Sequence, residues 1–546
     1  IPVEQATKFG TLVYQTNDGR MAPVNTLASD VLRKVYKKPA FEGLIPEQVF
    51  LGMMSDPFGW QQVPLIEVKN AEIKGMLGLD SDGKYLTFSE FFNDQGVYKL
   101  KDQVNAAYAK QPAQQGTLDK ELIKVDERVN VCYLVYQGYL LKIFPVPGDS
   151  LHNHWVTPVD EGLHGMHGND SSFVRNAALE YMRSLNDGNI EQADYILEGI
   201  KLYQNKYGAA VMPSQTKLNL EIQFNQWDIF NRLYKYFMLT GFVLLILLFT
   251  KILKPNVELK YWIIGSTILI FAGFIVHTAG LILRWYISGH EPWSNGYESM
   301  IYIAWTALLA GFVFRKKSIM TLAVTAILAG IILWVANMSW MDPEITNLVP
   351  VLKSYWLTIH VATIVASYGF FGLGALLAFM NLITMILQTP SNKLRLGLSI
   401  KELTYVIEMA LTVGLILLTI GNFLGGIWAN ESWGRYWGWD PKETWAMATI
   451  IFYAFVLHMR LIPGLRSTFT FNFAALICFA SVLMTYFGVN FYLSGLHSYA
   501  KGDPVPIPTF VYYVVAVVAV ISALAYFNTS RLKTQKVVDE AELSDV

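Results

Sequence analysis

Long apolar runs separated by short polar breaks extend from about residue 229 to residue 527, and none of comparable length precedes them. A helix rises ~1.5 Å per residue, so crossing ~30 Å of hydrocarbon takes roughly 20 apolar residues. That measure predicts nine spans: 229–252, 261–286, 297–314, 318–338, 355–387, 403–425, 444–461, 470–493 and 509–527. The third and seventh are short, and the fifth is long enough to tilt or project. Residues 1–226 carry mixed charges and frequent turn residues and read as a soluble domain. Within it, Val131-Cys132-Tyr133-Leu134-Val135-Tyr136 reads as a strand, and helices are expected near 28–37 and 171–205. The predicted fold class is a polytopic α-helical membrane protein of about nine spans with an N-terminal mixed α/β domain.

Basic residues orient the spans. Lys251, Lys254 and Lys260 lie between the first two, Arg315, Lys316 and Lys317 follow the third, and Lys393, Arg395 and Lys401 follow the fifth. Arg460 and Arg466 follow the seventh, and Arg531, Lys533 and Lys536 follow the ninth. The positive-inside rule makes these segments cytoplasmic. Segments 287–296, 339–354, 426–443 and 494–508 are then extracytoplasmic, together with the amino-terminal domain. A domain of that size reaches the outer face behind a signal or an earlier span, and the chain opens at Ile1 with neither. It is therefore expected to be the later part of a longer polypeptide, or one whose front was removed.

Composition narrows the chemistry. Charged residues make up 16% of the chain, against roughly 25% in soluble proteins. A net charge of −1 gives no case for nucleic acid. The two cysteines, Cys132 and Cys478, form neither a Cys-x-x-Cys pair nor a Cys-x-x-Cys-His motif. The chain is thus neither a c-type cytochrome nor a dithiol oxidoreductase, and any thiol chemistry needs a partner's thiols. Cys478, inside a span, reads as a small core residue.

The segment WGRYWGWDPKETWA, 433–446, holds Trp433, Trp437, Trp439 and Trp445 with Tyr436, Arg435, Asp440, Lys442 and Glu443. Aromatic residues anchor membrane interfaces, but so dense a run also suits a large flat ligand. His360 and His497 fall beside span ends on the same side, and neutral imidazole is a common haem-iron ligand. Each alone also reads as a polar helix-end residue bonded to a carbonyl or water. His458 and His277 lie in spans at different depths, where ionisable groups face protein or a cavity. They suit a second haem or its route, and His277 equally suits a structural hydrogen bond. The segment RWYISGHEPWSNGYES, with Arg284 and His290, reads either as a cap on the same pocket or as an interfacial turn. His152, His154, His164 and His167 suit a metal site or a solvated loop. Asp440 and Glu443 have the form of an acid–base pair, but no nucleophile stands beside them.

WGRYWGWDPKETWA resembles the tryptophan-rich signature of the haem-handling CcsA/ResC proteins of System II cytochrome c biogenesis. RWYISGHEPWSNGYES, WLTIHVATIVASYG, LHMR and GVNFYLSGLHSYA extend the resemblance in order over about 261–527. The front is similar in layout to CcsB/ResB. The resemblance implies a CcsB/ResB-like domain (1–226), its last span (227–256), a haem-handling membrane domain (257–530) with its tryptophan loop at 426–446, and a cytoplasmic tail (531–546). It implies a bacterial cytoplasmic-membrane protein that moves haem b outward. The haem vinyl groups would then be joined to the Cys-x-x-Cys-His thiols of apocytochrome c, the reaction of a holocytochrome c synthase of lyase type. His360 and His497 would be the external axial ligands and catalytic residues. Trp433, Trp437, Trp439 and Trp445 would form the floor, with Asp440 in the same loop. His458 would serve an inner haem, with His277 a weaker second ligand. By charge, Arg435 and Lys442 suit the haem propionates. The implied partners are apocytochrome c, an earlier CcsB/ResB portion, an extracytoplasmic thioredoxin-like reductant and membrane lipid. A haem exporter without attachment activity and a di-haem electron-transfer protein are the competing readings.

Overall fold

The computed structural model describes residues 1–79, 83–110, 115–149, 153–160, 166–338, 341–348, 352–493 and 507–544. The chain divides into two compact units: Ile1–Trp227 with Glu344–Asn347, and Asp228–Pro343 with Leu348–Val546.

The first unit is mixed α/β with helices predominating. Its helices are α1 (Val3–Gly10), α2 (Val24–Tyr36), α3 (Pro46–Ser55), α4 (Pro57–Trp60), α5 (Ala71–Met76), α6 (Lys101–Ala109), α7 (Thr117–Tyr136), α8 (Gly168–Asn186), α9 (Ile190–Tyr207) and α10 (Gln215–Trp227). Three antiparallel pairs complete it: β1 (Val13–Gln15) with β2 (Met21–Pro23), β3 (Ile66–Glu67) with β4 (Tyr85–Leu86), and β5 (Phe144–Pro145) with β6 (Trp155–Val156). The strand expected at 131–136 is instead the end of α7. Leu122, Val125, Val129, Cys132 and Tyr136 are all buried. That is the three-and-four spacing of one helical face, and a six-residue window is too short to reveal it. The helix expected over 171–205 is two, broken where Gly188 takes φ +71°. Asn189 then caps α9 by accepting from the Gln192 amide at 3.1 Å. Arg20 and Glu221 tie α10 to the unit through a two-pronged ion pair at 3.0 and 2.8 Å, and Thr26 donates to the same carboxylate at 2.8 Å. Both charges are buried, and pairing is what makes that burial tolerable.

The second unit is a bundle: α11 (Ile229–Leu253), α12 (Lys260–Ser288), α13 (Gly296–Phe314), α14 (Met320–Ala336), α15 (Tyr355–Ile386), α16 (Lys393–Trp433), α17 (Pro441–His458), α18 (Thr468–Leu483), a π-helical turn (Met484–Gly488), α19 (Val489–Tyr492) and α20 (Thr509–Ser544). Among the described residues, eight helical runs are long and apolar enough to cross a membrane. The remaining expected span, the fourth (318–338), is α14, with 17 residues. Every residue from Met320 to Gly330 is buried, as befits a helix that is apolar all round and enclosed by others. The sixth span is longer than its apolar stretch, 41 residues in place of 403–425. Residues 426–433, read from sequence as loop, are its last two turns. Residues 531–544 continue α20 rather than forming a separate tail.

Small residues bring α15 and α16 together. A β-carbon on Gly414 would stand 2.8 Å from Phe371, and one on Gly421 would stand 2.6 Å from Ile364. Such close approach suits helices that gain little from apolar burial in lipid. Toward the other end, Asn381 of α15 donates to Asn472 of α18 at 2.9 Å and to Thr404 of α16 at 3.0 Å. Several contacts gather one end of the bundle. Arg284 donates to the Pro343 carbonyl at 2.9 Å, Tyr486 to the Gly296 carbonyl at 2.7 Å, and Ser354 to Glu431 at 2.7 Å. The α12–α13 turn, the segment before α15, the end of α16 and the end of α18 therefore meet there.

Candidate functional site

His360 lies in the second turn of α15, at this gathered end. Its Nδ1 is 2.7 Å from the Gly421 carbonyl of α16. A carbonyl only accepts, so Nδ1 carries the proton, and the lone pair of the neutral ring is on Nε2. The ring lies over Gly425 and runs nearly parallel to the Trp428 indole, at 6.2 Å and 17°. Trp428 in turn meets Trp433 edge-on at 4.7 Å. The result is a continuous run of packed rings from the imidazole through the buried Trp428 to the last residue of α16.

The tryptophan turn begins where α16 stops. Gly434 takes φ +70° and its amide bonds the Asn430 carbonyl, a left-handed helix end that glycine adopts without strain. Arg435 folds back over the Trp433 ring at 5.9 Å. A β-carbon on Gly438 would coincide with that guanidinium. Trp437 and Trp439 meet edge to face at 5.8 Å. Trp439 has φ +57° and stands 70% exposed, an unusual backbone for a bulky residue. Asp440 caps α17 by accepting from the Lys442 amide at 3.0 Å, and Glu443 reaches back to the Gly438 and Asp440 amides at 2.8 and 3.2 Å. The sequence Asp-Pro-Lys-Glu is thus a capping box with proline at the first helical position. The two carboxylates serve helix geometry here.

Two bonds tie the start of α17 to the π-helical turn and α19 that follow α18. Lys442 Nζ donates to Asn490 at 2.9 Å, and Thr485 donates to the Trp445 carbonyl at 3.2 Å. Thr485 sits in the π-helical turn, a feature that often marks functional sites. The chain beyond Leu493 carries His497, which lies outside the described residues.

The remaining histidines are placed apart. His458 ends α17, exposed, with Nδ1 2.7 Å from the Ala454 carbonyl. Lys442 and His458 are thus about 24 Å apart along one helix. His277 is wholly buried in α12, with Nε2 3.0 Å from the Ile301 carbonyl of α13 and its ring against Phe230 and Phe237. Arg284 and Glu298 form a fully buried ion pair at 2.8 Å, and Glu298 also accepts from the Ser294 amide and hydroxyl. That pair folds the α12–α13 turn, where His290 bonds the Glu291 carbonyl. In the first unit, His154 bonds Asp149 at 3.0 Å and His167 precedes α8, while His152 and His164 lie outside the described residues.

Trp428, Gly421, Gly425, Gly438 and Asn490 escaped the sequence reading. Trp428 has a sequence signal, an indole five residues before the tryptophan run. Gly438 matters through the fold-back of Arg435 three residues earlier, and Gly421, Gly425 and Asn490 through partners distant in sequence.

Comparison with known proteins follows these features. Residues 293–497 match the family described as Cytochrome C assembly protein. The chain is 43% identical to Protein NrfI of Wolinella succinogenes over 512 residues, 92% of this chain and 55% of that one. It is 34% identical over 295 residues to Cytochrome c biogenesis protein CcsA of a Synechococcus species, 47% of this chain and 94% of the relative. It is 34% identical over 301 residues to CcsA of Guillardia theta, 50% of this chain and 97% of the relative. The chain thus spans little more than half the length of NrfI but nearly all of these CcsA proteins.

Proposed function

This chain belongs to the CcsA family of cytochrome c assembly proteins, and we propose that it carries haem b to the outer face of a bacterial cytoplasmic membrane and joins it to apocytochrome c. One observation carries the reading: an imidazole whose Nδ1–H is held by a backbone carbonyl and whose ring is backed by the buried Trp428 and, beyond it, Trp433, next to the turn that carries Trp437 and the exposed Trp439. A porphyrin needs this combination of a nitrogen ligand and flat apolar contact. His360 and His497 are the axial ligands in this reading, and Arg435 and Lys442 pair with the propionates. His458 serves an inner site at the other end of α17. His277 has the weakest claim to haem, because Phe230 and Phe237 cover its ring.

Attachment needs no nucleophile from this chain. Each substrate thiol adds across a vinyl double bond: sulfur bonds to the carbon next to the ring, and the proton goes to the terminal carbon. Atoms balance without an oxidant, but the thiols must arrive reduced, which calls for a thioredoxin-like partner outside. The protein's part is to hold haem and peptide in reacting geometry. The substrate histidine displaces one protein histidine from iron, which eases product release. Residues 1–226 are read as the CcsB/ResB-like extracytoplasmic domain. NrfI matches nearly the whole chain whereas the CcsA relatives match about half, which sets this front part outside the CcsA-like portion.

The first test is an absorption spectrum of detergent-purified protein, with and without dithionite, for wild type and for His360→Ala/His497→Ala. A sharp reduced haem band that is lost in the double variant is expected. Wild type without haem sinks the reading. Co-expression with an apocytochrome then separates a synthase, which yields covalent haem, from an exporter, which does not.

A further inference from the structure

We propose that the face of α16 formed by Gly421 and Gly425 is a shaped seat for the His360 imidazole, and that Gly425 is a positioning residue deciding which ring nitrogen is offered to haem iron. This rests on the reading of His360 as a haem ligand.

The seat follows from helix geometry. Gly421 and Gly425 are four residues apart, so in a regular helix the Gly421 carbonyl accepts the Gly425 amide. Its second lone pair is the one that His360 Nδ1 reaches at 2.7 Å. To reach it, the ring must lie across the turn, directly over the Gly425 α-carbon. A β-carbon there would stand 2.7 Å from Nδ1 and 3.0 Å from Nε2, and closer still to Cε1. Nothing larger than glycine admits the ring. Trp428, three residues further along α16 and fully buried, runs nearly parallel to the imidazole. Carbonyl, bare α-carbon and indole together fix the ring's tautomer, tilt and height. Two helices contribute, so the setting is made only when α15 and α16 pack.

The chemical consequence concerns ligand strength. A histidine ligand that donates its other N–H to a carboxylate becomes a stronger base than one that donates to a neutral carbonyl. At His360 the Nδ1–H meets a neutral carbonyl. The ligand is therefore oriented without being strongly activated, which suits an axial ligand that an incoming substrate histidine must replace. The seat also makes Gly425→Ala an informative variant. Alanine is the better helix former, so α16 itself keeps its helix in Gly425→Ala and the change falls on the ring packed against it; the tautomer of His360 tells a displaced ligand from a general loss of packing.

The test combines a haem-free and a haem-loaded measurement on the full chain. Haem-free protein labelled with ¹⁵N-histidine is examined by NMR, with the His360 signals identified by their loss in His360→Gln. The wild type should show a protonated Nδ1 and an unprotonated Nε2, and Gly425→Ala should lose that preference. Haem transfer from loaded protein to apomyoglobin then reads retention, which should weaken about 10–100-fold in Gly425→Ala. Gly265→Ala, where an added β-carbon meets nothing within 4 Å, should match wild type in both. Retention unchanged in Gly425→Ala overturns the seat alone, as does a wild-type His360 protonated at Nε2. The second result also decides the matter if Gly425→Ala fails to insert. Wild type that takes up no haem overturns the haem reading, and the seat's role with it.

Discussion

His360 and His277 make the same kind of bond and sit in opposite surroundings. Each is an imidazole on a membrane helix whose ring N–H meets a carbonyl of a neighbouring helix, at 2.7 Å to Gly421 and 3.0 Å to Ile301. His360 uses Nδ1, the nitrogen nearer its own backbone, so Nε2 points outward from the stem. His277 uses Nε2, so its remaining nitrogen is the one tucked against α12. His360 is half-buried beside a turn rich in indoles, and His277 has no exposed surface. Among the described residues Nδ1 of His277 has no hydrogen-bond partner. The comparison shows that a histidine in a membrane helix can be held to a neighbouring helix through either ring nitrogen. What separates the two is the nitrogen taken by the structural bond and the exposure of the ring.

Exchanging the residues breaks the comparison most directly. His360→Ala should lower haem retention beyond the roughly 100-fold range of outer-shell changes, read by transfer to apomyoglobin. Retention equal to wild type would remove His360 from the site. The α12–α13 turn beside it gives the largest expected stability effect. Arg284→Ala leaves Glu298 buried without its cation and should cost about 3–5 kcal/mol, seen as a lower thermal midpoint in detergent. A midpoint within a degree of wild type would mean that water reaches the carboxylate.

His277→Ala opens a cavity against Phe230 and Phe237 and should cost about 2–5 kcal/mol. The haem spectrum per folded protein should stay unchanged, so a shifted band would give His277 a haem role after all. Asp440→Ala removes a cap and should cost about 1 kcal/mol, with Asp440→Asn close to neutral. Faster amide exchange confined to the first turn of α17 would register the loss. A selective loss of haem in Asp440→Asn would instead make that carboxylate a ligand contact.

Much of this was legible in the chain. Among the described residues the nine apolar segments are the long helices of the bundle, within a few residues at most ends, because hydrophobic length is a local property. The capping box at Asp440 is equally local: aspartate, proline and glutamate at successive cap positions specify a helix start without help from elsewhere. Errors arose where a local signal was short or polarity misled. Residues 131–136 look alternating, yet the buried face of α7 is set by residues ten positions upstream. Residues 426–433 contain Asn430 and Glu431, which read as loop, but Trp428 and Ala429 are buried and α16 continues to Trp433.

The order of the spans, the residues of the tryptophan turn and the family of the chain were thus written in the sequence. Hydrophobic length, capping chemistry and motif order are all carried by neighbouring residues. Tertiary structure alone decided which nitrogen each histidine offers. That choice depends on a carbonyl 61 residues away for His360 and 24 residues away for His277. It depends also on a missing methyl at Gly425, whose effect exists only once α15 lies against α16. A glycine in a long apolar helix looks the same in sequence whether it is exposed with no neighbour, as Gly265 is, or lies under a histidine ring, as Gly425 does.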